Sequence, residues 1–219
     1  MVLWLSKSIE DRPPSDGVWH SESWSGAISV KTVVLMGNPN VGKSVVFSRL
    51  TGAKVITSNY PGTTVDFSRG KMLLAGEVVH IIDAPGVYSL FPSSRADEVA
   101  ATLFEQADLV INVLDAGHLE RNLLLTLEIL ATKKPVVLAL NMWDEAQHLG
   151  IDIDVEKLEK LLNVAIVPTV ALAGEGINEL VVLLEKAHDS KTIKPVGEEE
   201  RWVEIGNIVK QVQSIRHRH

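Results

Sequence analysis

Apolar positions fall along this chain in short continuous runs, alternating with stretches of helical spacing. The first run, Thr32-Val33-Val34-Leu35-Met36, leads through a glycine-containing turn into a helix-compatible segment that ends near Leu50, with Gly52 suited to a left-handed cap. Residues 53–66 read as a long polar connection. Phe67–Leu74 and Glu77–Asp83 are strand-like and joined only by Ala75-Gly76, so they must pair antiparallel. Ser94–Glu105 is helix-compatible. Leu109–Leu114 is a continuous apolar run of the kind covered on both faces of a parallel sheet. A helix follows at about 119–132, with Leu123, Leu124, Leu127 and Leu130 on one face. Pro135–Leu140 is another buried strand, and Asp154 caps a helix running through Leu162. Ala165–Val170 is the last strand and Gly176–His188 the last core helix. Six strands alternating with helices in this order predict an α/β fold, a mostly parallel sheet with helices on both faces.

Outside that core lie two appendages. Residues 1–30 combine Pro13-Pro14, several serines and glycines, and three of the five tryptophans (Trp4, Trp19 and Trp24). Such rings favour a covered position, so an arm or hairpin lying on the main domain is the preferred expectation for this extension, with plain disorder of a Ser/Gly/Pro-rich segment as the alternative. After residue 188, a linker through Pro195 and Gly197 leads to a charged segment and then to Trp202–Val212. There Trp202, Ile205, Ile208, Val209 and Val212 share one face, an amphipathic helix that requires a surface to cover. The division is therefore 1–30, 31–188 and 189–219.

Composition narrows the function classes. The 219 residues suffice for one α/β domain and a small appendage. With 21 basic against 28 acidic residues the net charge is −7, and no basic run offers a stripe for nucleic acid. The absence of cysteine excludes disulfides, thiolate metal sites and cysteine nucleophiles. No stretch approaches the ~18–20 apolar residues of a membrane span, and the N-terminal apolar segment is too short for a secretory signal. The chain reads as soluble, and equally as one domain of a longer membrane protein.

The chemistry concentrates in four stretches. Gly37-Asn38-Pro39-Asn40-Val41-Gly42-Lys43-Ser44, between a strand and the helix-compatible segment Val45–Leu50, whose helix begins near Lys43, has the spacing of a phosphate-binding P-loop. Its glycines turn backbone N–H groups onto an anion, and the helix adds its positive end. Lys43 would reach the β- and γ-phosphates, and the Ser44 hydroxyl would ligate Mg2+. Asp83-Ala84-Pro85-Gly86 closes a buried strand, placing Asp83 to hold the same ion through a water and Gly86 to offer its N–H to the γ-phosphate. Asn141-Met142-Trp143-Asp144 follows the strand 135–140, and the Asp144 carboxylate could accept both the ring N1–H and the exocyclic amine of guanine. That pairing shifts the nucleotide from ATP to GTP, because adenine leaves the acceptor unpaired. Gly62-Thr63-Thr64 lies in the polar connection, where a threonine hydroxyl could join the Mg2+ shell and release it on hydrolysis.

This order of elements is that of the Ras-like P-loop GTPases. The chain more particularly resembles the N-terminal GTPase domain of the bacterial ferrous iron transporter FeoB, over about residues 31–188. The resemblance rests on the P-loop, on Gly62-Thr-Thr-Val-Asp66 and on Asp83-Ala-Pro-Gly-Val-Tyr-Ser-Leu90. Asp115-Ala-Gly-His-Leu-Glu-Arg-Asn-Leu123 and Ala139-Leu-Asn-Met-Trp-Asp-Glu-Ala146 complete it. It implies that Thr64, rather than Thr63, is the magnesium threonine, and that Asn40 helps to coordinate K+ beside the β- and γ-phosphates. It also implies that the C-terminal helix begins a helical spacer leading to a membrane permease, which places the domain at the cytoplasmic face of the bacterial inner membrane. A homo-oligomer is compatible with it. The seven histidines are scattered, so no tight Fe2+ site is expected within the chain itself.

Two positions depart from the Ras-like pattern. Val87 stands where a glutamine would orient the attacking water, which implies slow intrinsic turnover. The base-contacting Ser-Ala-Lys loop reads Val170-Ala171-Leu172. Ala171 N–H could still face the guanine O6, and Leu172 could cover the ring opposite Met142, but the missing serine hydroxyl implies weak GDP retention. The reaction implied is in-line attack of water on GTP, with Lys43, Ser44, Thr64 and the Gly86 N–H fixing charge and geometry and Asn40 assisting through K+. A stand-alone GTPase of ribosome or tRNA biology is the alternative, disfavoured by net charge −7.

Overall fold

Val33, Val34, Leu35 and Met36 are all fully buried in β1 (Thr32–Gly37), which explains why that strand has no polar face. A computed structural model describes residues 31–52, 55–187 and 198–215. After β1 come α1 (Lys43–Thr51), β2 (Ile56–Asn59), β3 (Asp66–Leu74), β4 (Glu77–Asp83) and α2 (Arg95–Glu105). Next are β5 (Leu109–Asp115), a short 3-10 turn (Ala116–His118), α3 (Leu119–Ala131), β6 (Val136–Asn141) and α4 (Trp143–His148). The chain continues with β7 (Ile151–Ile153), α5 (Val155–Leu162), β8 (Ala165–Pro168), α6 (Ile177–Glu185), α7 (Glu198–Val212) and β9 (Gln213–Ile215).

The main sheet has seven strands in the order β2-β3-β4-β1-β5-β6-β8. β4, β1, β5, β6 and β8 are parallel, and β2 and β3 complete the sheet antiparallel at one side. One face packs Val34, Met36, Val110 and Leu138 with residues of α2, α3, α5 and α7. The other packs Val33, Leu35, Ile111 and Val137 with residues of α1 and α6. Side chains alternate between these cores along each strand, as the pleat requires.

The seventh strand corrects the expectation of six. Ile56–Asn59 was read within a polar connection, yet it pairs with β3 from Ile56↔Arg69 to Asn59↔Asp66. A strand that only extends an edge has no burial pattern to announce it, and all four of its residues are at least partly exposed. The last sheet strand stops at Pro168 rather than Val170, because Val170 turns away to bridge Glu175. α6 spans Ile177–Glu185, shorter than the expected 176–188. The amphipathic C-terminal helix begins earlier than expected, at Glu198. Its Ile205, Ile208 and Val212 are buried against the α3 and α5 side, and Arg201 Nη1 donates to Glu128 Oε1 at 2.7 Å. β9 then pairs with β7 in a separate two-stranded sheet. The arm expected of residues 1–30 lies outside the described residues.

Candidate nucleotide-binding site

The site forms where β1, β4 and β6 reach their C-terminal ends. Gly42 caps α1 in the left-handed region (φ 79°), a conformation that disfavours a side chain, and a Cβ there would lie 2.3 Å from Asn141 Nδ2. A Cβ on Gly86 would come within 2.9 Å of Pro39 Cα. Both glycines are thus fixed by close approach, one within the P-loop and one beside it.

Under this cradle, the Lys43 ammonium pairs with Asp83 Oδ1 and also donates to the Ala84 carbonyl. Ser44 Oγ donates to Asp83 Oδ2 at 2.6 Å. Lys43 and Asp83 are both buried, so each compensates the other's lost hydration. Asn38 Nδ2 donates to the Arg121 carbonyl at 3.2 Å, while its buried Oδ1 has no partner. A cavity of about 340 Å³ opens here, lined by Asn38, Pro39, Asn40, Gly42, Lys43, Ser44, Val45 and Gly86. Asn40 is exposed at its rim, with its own backbone left-handed (φ 67°). Gly37 lies at the end of β1, where a Cβ would meet the Val113 carbonyl at 2.6 Å, and the buried Val41 completes the loop.

A second cavity, about 90 Å³, adjoins the first across Gly42 and Val45. Asn141, Met142, Asp144, Val170, Ala171 and Leu172 line it, with Glu145. The structure thus brings together the P-loop, Asp83-Gly86, Asn141-Asp144 and Val170-Leu172 groups named from sequence. Asn141 acts here as a strut. Its Nδ2 donates to the Val41 carbonyl at 2.9 Å, and its Oδ1 accepts from Thr169 Oγ1 and from Ala171 N–H, each at 3.1 Å. The Ala171 N–H expected to face the base is therefore already engaged. Asp144 sits on α4, a short helix for which the sequence pattern gave no expectation, beyond Met142 in the left-handed region (φ 57°).

Gly62, Thr63 and Thr64 line neither cavity. They lie in a turn closed by Tyr60 N–H to the Val65 carbonyl at 2.8 Å. Thr63 Oγ1 donates to the Tyr60 carbonyl at 2.9 Å and accepts from Val65 N–H at 3.1 Å, whereas Thr64 is exposed. Val87 is only 2% exposed and packs into the core, its N–H donating to the Gly37 carbonyl at 3.1 Å.

Three further side chains escaped the sequence reading. Arg49 Nε donates to the Ala171 carbonyl at 2.9 Å, and its Nη2 to the Leu172 carbonyl, holding the base-side loop from α1. Arg121 Nη2 donates to Tyr88 Oη at 2.7 Å, two residues beyond Gly86. Glu128, buried in α3, accepts from Ser89 Oγ at 2.9 Å, from Leu90 N–H at 2.7 Å and from Arg201. Of these, Glu128 left a trace: a carboxylate among Leu123, Leu127, Ile129 and Leu130 needs a buried partner.

Two cavities meeting over one P-loop glycine, at the C-terminal edge of a mostly parallel sheet, are the arrangement of a Ras-like G-domain. The family model of ferrous iron transport protein B matches residues 31–184, and the chain belongs to that family. The Fe(2+) transporter FeoB of Legionella pneumophila (strain Paris) is 44% identical over 169 residues, covering 74% of this chain and 22% of that relative. That of Helicobacter pylori (strain ATCC 700392 / 26695) is 42% identical over 157 residues, covering 71% and 24%. The chain thus spans less than a quarter of the length of these relatives. Among solved structures, the cytosolic domain of L. pneumophila FeoB superposes with a TM-score of 0.78 at 34% identity, over 84% of this chain and 100% of that one. The T. maritima cytosolic domain in its GMPPNP form gives 0.75 at 29%, over 84% and 100%. An S. thermophilus NFeoB mutant bound to GDP gives 0.70 at 34%, over 83% and 71%. The family match sets aside the alternative of a stand-alone GTPase of ribosome or tRNA biology.

Proposed function

We propose that this chain binds GTP and hydrolyses it to GDP and phosphate, and that its nucleotide state regulates or drives ferrous iron uptake through a membrane permease domain at the cytoplasmic face of the inner membrane. In this reading residues 31–188 are the G-domain and α7 begins the spacer toward the permease. The observation that carries the nucleotide part is the convergence of Lys43 and Ser44 on Asp83 beneath the Gly42 and Gly86 cradle. GDP and GMPPNP in the related structures support the choice of guanine.

The Ser44 hydroxyl and Asp83 carboxylate are hard oxygen donors 2.6 Å apart, a set that suits Mg2+, with Thr64 as its further ligand. The Asn40 side-chain oxygen at the rim of the phosphate cavity suits K+. When bound, the two ions would supply fixed positive charge beside the β- and γ-phosphates. On nucleotide entry, Lys43 would exchange its Asp83 contact for phosphate oxygens, and the P-loop N–H groups with that of Gly86 would hold the anion. Asp144 would accept from the guanine edge, and Met142 and Leu172 would cover the ring. The buried Val87 presents no polar side chain to a water, which supports slow turnover. The Val170–Leu172 loop carries no serine hydroxyl, and Leu172 is 75% exposed, which supports fast GDP release.

Calorimetry with GDP and ADP tests the nucleotide assignment, since tighter ADP binding overturns it. Hydrolysis in K+ against Na+ tests the ion: Asn40→Ala should abolish stimulation by K+ and leave GDP affinity unchanged. Stimulation that survives this substitution would put the ion elsewhere.

A further inference from the structure

Val87 is buried in the core, so aligning an attacking water falls to the backbone beside Gly86 rather than to a side chain. From Ala84 to Leu90 that backbone belongs to no helix or strand. Irregular backbone keeps one geometry only where contacts from outside hold it.

Three ties hold this stretch. At its start, Gly86 lies against Pro39 of the P-loop, and Val87 N–H donates to the Gly37 carbonyl at 3.1 Å. At its far end, Ser89 Oγ and Leu90 N–H donate to the buried Glu128 carboxylate at 2.9 and 2.7 Å. Between them stands the exposed Tyr88, and Arg121 holds it twice. Arg121 Nη2 donates to Tyr88 Oη at 2.7 Å, and the guanidinium carbon lies 4.7 Å from the centre of the phenol ring. Hydroxyl and ring are both engaged, which fixes the side chain in direction as well as in place.

Arg121 is itself tied to the phosphate loop. Its carbonyl accepts from Asn38 Nδ2 at 3.2 Å, and Asn38 is a buried residue lining the phosphate cavity. Arg121 and Glu128 stand seven residues apart on α3, two turns, so both rise from the same face of the helix. The contacts close a ring. It runs from the P-loop through Asn38 to Arg121, across to Tyr88, back along the chain to Gly86, and onto Pro39. The loop that would seat the phosphates and the backbone that would face them thus share one frame. Arg121 is exposed, so core packing does not require its side chain.

We propose that Arg121 is a positioning residue for hydrolysis: through Tyr88 it holds the Gly86–Val87 backbone where the γ-phosphate and the attacking water would meet it. The assignment rests on the reading of this chain as a GTPase. It explains how a chain with valine at the water-orienting position keeps that backbone in place.

Single-turnover hydrolysis at saturating GTP tests it, on the full chain and on Arg121→Ala, Tyr88→Ala and the double variant. In Arg121→Ala the rate should fall at least tenfold, within the roughly 10²-fold that a 1 Å misplacement can cost. Calorimetric affinity for GDP and GMPPNP should stay the same, and so should the melting temperature. Tyr88→Ala should lose as much, and the double variant no more than either single one, because the two side chains act as one brace. An undiminished rate in Arg121→Ala overturns the assignment. A double variant whose losses multiply does so too. If Tyr88→Ala turns over like the wild type while Arg121→Ala is slow, the guanidinium acts on the nucleotide itself and the assignment falls. If affinity and melting temperature drop in step with the rate, the role is structural, and it falls again. Wild-type protein that binds GTP without hydrolysing it overturns the GTPase reading and this assignment together, whereas each of the other results leaves that reading standing.

Discussion

The phosphate end and the base end of the site are built on different principles. At the phosphate end, the groups that would touch a ligand come from the chain segments that form it. Lys43 and Ser44 belong to the loop and first turn, and Gly42 and Gly86 make room by lacking a side chain. At the base end, the lining is held from a distance. Asn141 ties the P-loop to Thr169 and Ala171, and Arg49 reaches from α1 to two carbonyls of the same loop. Leu172, 75% exposed, ends that loop in solvent. A backbone-built end tolerates little change, whereas a braced end can be tuned by altering its braces. Nucleotide residence time should therefore be set mainly at the base end.

Gly42 belongs to both cavities, so altering it should erase the distinction. In Gly42→Ala the new methyl group meets Asn141 Nδ2 at 2.3 Å in a left-handed backbone that already costs about 1–2 kcal/mol for any other residue. Both ends should fail together: no measurable GDP or ADP binding by calorimetry, and a lower melting temperature. Retained ADP binding would show that the phosphate cradle stands without the Asn141 contact.

Asp144→Asn should separate the ends. Preference for GDP over ADP should fall by about two orders of magnitude or more, because the substituted side chain cannot accept both guanine donors. ADP affinity, set by the phosphate end, should stay the same. Competition binding with the two diphosphates reads both quantities at once.

Asn141→Ala comes next in size. It strips partners from the Val41 carbonyl, Thr169 Oγ1 and the Ala171 N–H, and each buried group left unpaired costs about 1–3 kcal/mol. GDP release should accelerate at least tenfold by stopped flow, with a matching loss of thermal stability. Faster release without lost stability would mean that solvent replaces the strut.

How far the site was legible follows the same division. Gly37–Ser44 and Asp83–Gly86 could be placed from sequence because a fixed spacing of glycines between strand and helix has few other uses. The parallel core strands were equally plain, since residues such as Val33–Met36 are apolar on both faces. β2 was missed because Ile56–Asn59 buries little and reads as loop. Arg49 was invisible for a different reason: a solvated arginine and an arginine capping distant carbonyls look alike in sequence, and its partners lie more than a hundred residues away. Asn141 was singled out from sequence for its motif, but its role as a strut depends on Val41, Thr169 and Ala171 meeting in space.

Arg49→Ala is the smallest of the expected effects and the most direct test of tuning. Arg49 lines neither cavity, so any change in nucleotide handling must pass through the Ala171–Leu172 backbone. Its guanidinium makes two hydrogen bonds at a partly exposed position, together about 1–2 kcal/mol after competition with water. GDP dissociation should speed up several-fold while the association rate stays the same, because the loop is loosened rather than the entrance altered. Arg49→Lys should recover little, since an ammonium cannot span two carbonyls as a planar fork does. If dissociation is unchanged in Arg49→Ala, Asn141 alone holds the loop, and residence time is set by one brace rather than two.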